Sequence, residues 1–173
     1  MILEIVQYGH PALRAKGRRI EKLDDSLLEL IEDMIETMYD ADGVGLAAQQ
    51  IGRPLQLCVV DVNGVKDRPS AMRINGKPVS IAEYMPLVLI NPEIETFGKE
   101  RKSPEGCLSF PGVRGDILRP ASVRVKADTV EGGTIEFEAD GLLARAIQHE
   151  NDHLQGVLFI DRMDPAEREE ALR

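Results

Sequence analysis

Two histidines and a glutamate lie within one short stretch near the end of the chain, His149-Glu150-Asn151-Asp152-His153. If this stretch is helical, residues four positions apart share a face, so both imidazoles can reach one cation. Glu150 is then placed to take a proton from water on that cation. The pattern is short, but the chain has only 3 histidines and two of them fall within it. The stretch therefore predicts part of a metal site with a catalytic base.

The alternative is a solvated helix whose charges only keep the protein in solution. The turn before the histidines contradicts this, because Leu142, Leu143, Ala146 and Ile147 are all apolar. A helix that is built for burial, yet carries two histidines and a glutamate, needs partners for those polar groups.

Catalytic sites of this kind commonly have three protein ligands and one open position for water. In one known pattern, His-Glu-x-x-His-x-x-Gly-x-x-His, a third histidine completes the metal site. This chain does not match that pattern, because Phe159 stands where the third histidine would be. A glutamate from a following helix would have to come from the charged C-terminal tail (Glu167, Glu169 or Glu170), which is a weak source.

Cys107 is the better candidate for the third ligand, because a thiolate binds zinc or ferrous iron strongly. It lies in Pro104-Glu105-Gly106-Cys107-Leu108-Ser109-Phe110-Pro111, which Gly and Pro interrupt, so we do not expect a regular core strand there. A buried structural cysteine is the ordinary alternative. We assign that role to Cys58, which lies in the apolar run Leu55 to Val60.

A loop of small residues runs from Gly43 to Gln50. It matches the loose form of a dinucleotide-binding loop, but it follows an amphipathic helix and not a strand, and Arg53-Pro54 leaves no room for the next helix. It also lacks the Gly-Lys-Ser/Thr ending of a P-loop. Small residues here more plausibly let a substrate backbone approach closely, and Gln50 could donate a hydrogen bond to a developing oxyanion.

Taken together, the three segments resemble the peptide deformylase family. That family is marked by Gly-x-Gly-hydrophobic-Ala-Ala-x-Gln, Glu-Gly-Cys-hydrophobic-Ser and His-Glu-x-x-His. These motifs occur here in the same order, as Gly43–Gln50, Glu105–Ser109 and His149–His153, and the likeness covers essentially the whole chain. The sequence departs from the family at Gln49, where proline is frequent, and at Asn151, where an apolar residue is usual.

The resemblance implies a metal-dependent hydrolase that removes the N-formyl group from the formylmethionine of new bacterial polypeptides and releases formate. Cys107, His149 and His153 would hold one divalent metal, with water as the fourth ligand. The metal would be Fe²⁺ in the cell, and Zn²⁺ or Ni²⁺ could occupy the site after purification. Glu150 would act as general base and later pass the proton to the departing amine.

The resemblance also assigns residues around the substrate. The Gln50 side chain and the Leu108 backbone N–H would stabilise the tetrahedral oxyanion. Gly45 would pair with the substrate backbone, and Val44 and Leu142 would line the methionine pocket.

Three further residues are expected to support the metal ligands from behind. We expect Arg119 to pair with Asp152 or Glu105 and so to fix the motif helix against the Cys107 segment. For Asp152, an ordinary solvated helix charge is an equal alternative. His10 is predicted to be a surface or turn residue and not a ligand.

The hydrophobic pattern predicts an α+β fold with mostly antiparallel sheets around a central metal-binding helix. An N-terminal helix should begin at Asp24 or Asp25 and reach about Tyr39. The motif helix should run from about Gly141 to Leu154, with Gly156 just beyond its end. A short charged helix begins at Asp164-Pro165.

Strand-like runs divided by Gly, Pro and Asn lie between the first two helices: Leu55–Val62, Leu87–Ile90, Glu93–Phe97, Ser122–Ala127 and Thr134–Phe137. Between the first two runs, Asn63–Pro86 reads as a long surface excursion with a hairpin at Asn75-Gly76.

The length of 173 residues predicts a single catalytic domain over residues 1–173. A formal charge of −9 argues against nucleic acid as a ligand, since phosphate binding needs a basic face. No signal peptide, membrane span or disulfide framework is visible, so we expect a cytoplasmic enzyme. We also expect a monomer, although no feature of the sequence determines the oligomeric state. Its partners would be formylmethionyl nascent polypeptides, which arise at the ribosome.

Two rival functions stay open. A metallopeptidase that cleaves internal peptide bonds would use a different third ligand, so its metal content would survive Cys107→Ser. The other rival is a catalytically silent protein that only binds formylated peptides or uses the metal structurally, but it would have no need of both Glu150 and Gln50.

Overall fold

The computed structural model describes residues 1–173, with three α-helices and seven β-strands. The helices are α1 (Asp25–Asp40), α2 (Leu142–Leu154) and α3 (Pro165–Ala171). The strands are β1 (Gly45–Ala47), β2 (Leu57–Val60), β3 (Ser70–Ile74), β4 (Lys77–Pro78), β5 (Leu87–Cys107), β6 (Phe110–Asp128) and β7 (Thr134–Gly141). Short 3-10 helices connect them at Pro11–Arg14, Ala48–Ile51, Ile81–Tyr84 and Phe159–Arg162. None of the helices combines the length and apolar composition that crossing a membrane requires.

The strands form one antiparallel sheet in the order β1-β2-β5-β6-β7-β3-β4. The predicted α+β fold around a central motif helix is confirmed, with one sheet where several were expected. Strand β1 pairs only with β2, in the register from Gly45↔Val60 to Ala47↔Cys58. Its other edge therefore has unpaired backbone groups, which an extended peptide could use.

Helix α1 begins where its sequence predicts. The Leu27 backbone N–H donates to the Asp24 carboxylate over 2.8 Å, a cap that contributes about 1 kcal/mol. The apolar face of the helix, which includes Met34 and Met38, packs on β1 and β2. The Gly43 N–H then donates to the Met38 carbonyl over 3.0 Å, so the end of α1 fixes the start of the small-residue loop.

Helix α2 is the buried centre of the fold. Its apolar residues, such as Leu143 and Ile147, pack in one cluster with Val123, Val125 and Phe137 of the sheet. Almost every residue of the helix is buried, so its polar side chains point into the protein and not into solvent. The predicted bounds of the helix agree with the structure, and Gly156 follows it with φ of 77°.

Strands β5 and β6 form one long hairpin, which the sequence did not predict. The runs Leu87–Ile90 and Glu93–Phe97 belong to the same strand, because register shifts at Ile90/Glu93 and Phe97/Glu100 absorb the interruptions between them. The segment Pro104–Pro111, expected to be irregular, is extended except for a two-residue turn at its centre. Cys107 thus lies at the very end of β5.

The excursion Asn63–Pro86 joins the sheet through β3, which pairs with β7. The predicted hairpin is present, since Asn75 and Gly76 have φ of 53° and 74°. The excursion also caps the motif helix: the Leu142 N–H donates to the Pro69 carbonyl over 3.0 Å, and the Leu143 N–H donates to Ser70 Oγ over 2.9 Å.

Candidate active site

Three metal-binding side chains meet between the end of β5 and the inner face of α2. One ligand atom each from Cys107, His149 and His153 lies within 4.8 Å of the others. Cys107 Sγ is 3.4 Å from His153 Nε2, and the two imidazole centroids are 5.1 Å apart. The structure therefore brings together the three residues that the sequence proposed as ligands.

The spacing of these atoms fits a single bound cation. With bond lengths of about 2.3 Å to sulfur and about 2.1 Å to nitrogen, a tetrahedral site places these two donors about 3.6 Å apart. The observed 3.4 Å between Cys107 Sγ and His153 Nε2 agrees with that geometry. One thiolate and two imidazoles suit a divalent transition metal.

Glu105 orients the first histidine. Its carboxylate lies 3.0 Å from His149 Nδ1, which leaves Nε2 of the same ring for a metal. Arg119 donates to the carboxylate over 2.6 and 3.0 Å, and Arg145 donates over 2.7 Å. Burial alone would raise the pKa of Glu105, but the hydrogen bonds from His149 and Arg119 outweigh it and hold the pKa well below its ordinary value.

Arg119 contacts both partners that were proposed for it. Besides Glu105, its Nη1 donates to Asp152 over 2.9 Å, and the Arg119 side chain is only 2% exposed. Asp152 is not a solvated charge, because Arg162 also donates to it, over 2.6 and 2.8 Å. This chain of ion pairs connects β5, β6, α2 and the 3-10 helix Phe159–Arg162.

Two residues of this ion-pair network, Arg145 and Arg162, were not predicted from the sequence. Arg145 lies four residues before His149 and therefore on the same face of α2, so a local signal existed. Arg162 comes from a separate segment, and no local pattern indicates that it reaches Asp152. Phe159, which stands where some enzymes have a third histidine, is buried with its ring centroid 5.7 Å from that of His149.

Glu150 lies beside the metal-binding side chains on α2. It is 4% exposed, and its Oε1 has no hydrogen-bond donor in the protein. Burial raises the pKa of Glu150 to about 7. A carboxylate without a partner at this depth is costly unless it has a function, such as accepting a proton.

Two hydrogen-bond donors lie on the other side of Cys107. Gln50 Nε2 is 3.5 Å from Cys107 Sγ and 3.3 Å from Ser109 Oγ. The Ala47 N–H donates to Gln50 Oε1 over 2.9 Å, which fixes the orientation of the amide. The backbone N–H of Leu108, in the turn after β5, has no acceptor in the protein.

These groups open on one cavity of about 640 Å³. It contains the following residues proposed from the sequence: Val44, Gly45, Gln50, Glu105, Cys107, Leu108, Leu142, His149 and Glu150. His153 lies beneath it and is 1% exposed. Arg119 and Asp152 lie behind the ligands, on a separate cavity of about 300 Å³.

The remaining two predictions agree with the structure. His10 caps a 3-10 helix by accepting the Ala12 N–H over 3.1 Å at Nδ1, and Cys58 is a core residue that is 1% exposed. The fold and the site together define a class of protein, a hydrolase of the His-Glu-x-x-His type in which cysteine completes the metal-binding group.

Comparison with known proteins specifies the class further. Residues 2–169 match the family model described as polypeptide deformylase. The chain is 51% identical over 173 residues to a peptide deformylase of Methylacidiphilum infernorum, and the match covers 100% of this chain and 90% of that protein. It is 48% identical over 167 residues to peptide deformylase 1 of Clostridium acetobutylicum, covering 96% and 97% of the two chains. The chain therefore belongs to the polypeptide deformylase family.

Solved structures agree. A peptide deformylase from Synechococcus elongatus, crystallised with actinonin, superposes with a TM-score of 0.84 at 43% identity, over 98% of this chain and 84% of that one. A peptide deformylase from Legionella pneumophila also gives a TM-score of 0.84, at 40% identity, over 100% of this chain and 92% of that one.

Proposed function

We propose that this cavity is the active site at which the protein removes the N-formyl group from nascent polypeptides and releases formate. The main support is that a three-donor metal site, a buried carboxylate and the hydrogen-bond donors of Gln50 and Leu108 all meet at one cavity. Membership of the polypeptide deformylase family supports the same reaction.

Cys107, His149 and His153 would hold the divalent metal. When bound, the metal supplies a Lewis acid that polarises the formyl carbonyl and makes water easier to deprotonate. The thiolate and imidazole donors suit ferrous iron and zinc alike. We propose Fe²⁺ as the ion in the cell, on the family resemblance of the three motifs, with Zn²⁺ or Ni²⁺ as replacements after purification.

Glu150 would move the proton. Its Oε1 accepts no hydrogen bond from the protein, and the carboxylate lies on the same helical turn as the two histidines. As general base it takes a proton from the attacking water, whose oxygen bonds to the formyl carbon. The C–N bond then breaks, the proton passes from Glu150 to the amine, and formate leaves.

Gln50 and Leu108 would stabilise the negative charge that develops on the formyl oxygen. The Gln50 amide is held by Ala47, so it need not reorient during the reaction. The Leu108 N–H is already free of protein acceptors. Removing one such donor typically lowers kcat by about 10²- to 10³-fold.

The substrate would bind along β1. The free edge of this strand can pair with an extended peptide, and Gly45 has no side chain to obstruct it. Val44 and Leu142 line the cavity and provide apolar surface for a methionine side chain. We propose that residues 1–173 act as a single domain and as a monomer, in the cytoplasm, where ribosomes supply formylated chains.

The test is formate release from formyl-Met-Ala-Ser, measured with metal-reconstituted protein and with protein stripped by a chelator. We expect release by the reconstituted protein, loss on stripping and recovery when Fe²⁺ is restored without oxygen. Cleavage of internal peptide bonds without release of formate would instead identify a metallopeptidase. Binding of the formylated peptide without any hydrolysis would identify a silent member of the family.

A further inference from the structure

Two arginines line the active-site cavity without an acidic partner. Arg68 belongs to the excursion between β2 and β3, and Arg114 belongs to β6. Neither lies within 4.0 Å of a carboxylate oxygen, whereas Arg145, which also lines the cavity, is paired with Glu105 at 2.7 Å. The only side-chain hydrogen bond of Arg68 goes to Ser103 Oγ, over 2.8 Å.

These two positive charges line the cavity of a protein whose formal charge is −9. Arg68 is half-buried and Arg114 is exposed. The acidic groups on the cavity are Glu105, which three partners bind, the buried Glu150, and the exposed Asp42 on the loop after α1. The wall formed by β5, β6 and the excursion therefore presents unpaired positive charge to whatever enters.

The two guanidinium groups lie along the strand that ends in the metal ligand. A methyl group at Gly106 would lie 3.5 Å from Arg114 Nη1, so this charge lies next to Cys107. Arg68 is anchored at Ser103, four residues before Cys107. In an extended strand, four residues span about 13 Å, which is therefore the distance from Ser103 to Cys107 along β5. A substrate peptide in an extended conformation covers the same distance in about four residues.

We propose that Arg68 forms a carboxylate-binding subsite that favours formylated chains with Asp or Glu at the third or fourth residue, and that Arg114 adds positive charge on the Cys107 side of this subsite. The inference rests on the proposed function, because it concerns substrate selection by the same cavity. Each guanidinium has free N–H donors that can form charge-assisted hydrogen bonds with a carboxylate.

The experiment compares kcat/KM for formyl-Met peptides of four residues that carry Glu or Gln at the second, third or fourth position. All are amidated at the C-terminus, so that the side chain is the only carboxylate. We expect the wild-type protein to favour Glu over Gln by about two- to fivefold at the third or fourth position, and more at low salt. A Gln peptide with a free C-terminus shows whether a terminal carboxylate binds the same subsite.

In Arg68→Gln the Glu-to-Gln ratio should fall to about one. The matched control is Lys66→Gln, which removes the same charge from the same excursion at an exposed residue outside the cavity lining and should keep the wild-type ratio. A wild-type ratio of one at every position, or an Arg68→Gln ratio equal to that of the wild type, would overturn the subsite alone. Failure of every peptide, including the neutral ones, to release formate would overturn the proposed function and the subsite with it.

Discussion

Gly45 lies directly against the carboxyl group of Glu150. A methyl group added to the Gly45 Cα would lie 2.9 Å from Glu150 Cδ and closer still to Oε2. Real Cβ atoms do not make contacts this short. Any side chain at position 45 of the edge strand β1 would therefore collide with the carboxyl group of Glu150. The absence of a side chain at Gly45 therefore leaves the room that the Glu150 carboxylate occupies.

Gly45→Ala should lower kcat strongly, because the added methyl group must displace Glu150. A displacement of about 1 Å of a catalytic group can cost about 10²-fold in rate. The measurement is steady-state formate release, with metal content determined on the same sample. Gly64→Ala is the control, since a Cβ there meets no atom within 4 Å. Full activity in Gly45→Ala would show that Glu150 does not need its observed position.

Glu105→Gln should weaken metal binding by about 10- to 100-fold, which is the usual effect of removing the partner that orients a histidine ligand. The carboxylate 3.0 Å from His149 Nδ1 holds that ring and favours the tautomer with a free Nε2. Competition with a chromophoric chelator measures the affinity. An unchanged affinity would mean that Glu105 only balances the charges of Arg119 and Arg145.

Arg119→Met should destabilise the protein by about 1–3 kcal/mol, because the buried carboxylates of Glu105 and Asp152 lose the guanidinium that they share, although Arg145 and Arg162 remain bound to them. Urea unfolding of the metal-free protein measures this apart from any change in metal content. The control is Arg124→Met, which removes an arginine whose side chain is 59% exposed and should change stability little. If Arg119→Met and Arg124→Met unfolded at the same urea concentration, the buried ion pairs of Arg119 would have no structural role.

The free energy of unfolding at acid pH should depend on the ion pair between Arg73 of β3 and Asp140 of β7. The hydrogen bond from Arg73 holds the pKa of Asp140 below its ordinary value of 3.8. A lowered pKa stabilises the folded state above the unfolded pKa, and this stability is lost as pH falls through the folded pKa. Because both side chains are partly exposed, the contribution is under about 1 kcal/mol.

Urea unfolding of the wild type and of Arg73→Met, from about pH 7 to about pH 3, should therefore show a constant difference that shrinks below about pH 4. A difference that stays the same at the lowest pH would assign the effect of Arg73 to packing and not to Asp140.

Local patterns predicted the parts of the structure that depend on neighbouring residues. The Asp24 cap, the hairpin at Asn75-Gly76 and the shared face of His149 and His153 all follow from spacing within one element. The full length of strand β5 did not follow from spacing, because Pro92 and Gly98 are typical of strand ends. In the structure the strand continues past both residues with shifts in its register against β6.

The contacts behind the site depend on the fold and could not be derived in the same way. The sequence proposed that Arg119 pairs with Asp152 or Glu105, but the structure shows one guanidinium bridging both. The pairing of Arg162 with Asp152 depends on how the chain turns after α2. Such contacts join segments that have no fixed spacing in the sequence, and only packing brings them together.

The most direct test of Glu150 as the general base is formate release by a Glu150→Gln variant that has been loaded with metal to the same content as the wild type. The amide has nearly the same shape but cannot take a proton from water, so we predict a kcat about 10²- to 10⁴-fold lower with formyl-Met-Ala-Ser. Formate release by the fully loaded variant at the wild-type rate would contradict a role for Glu150 in proton transfer.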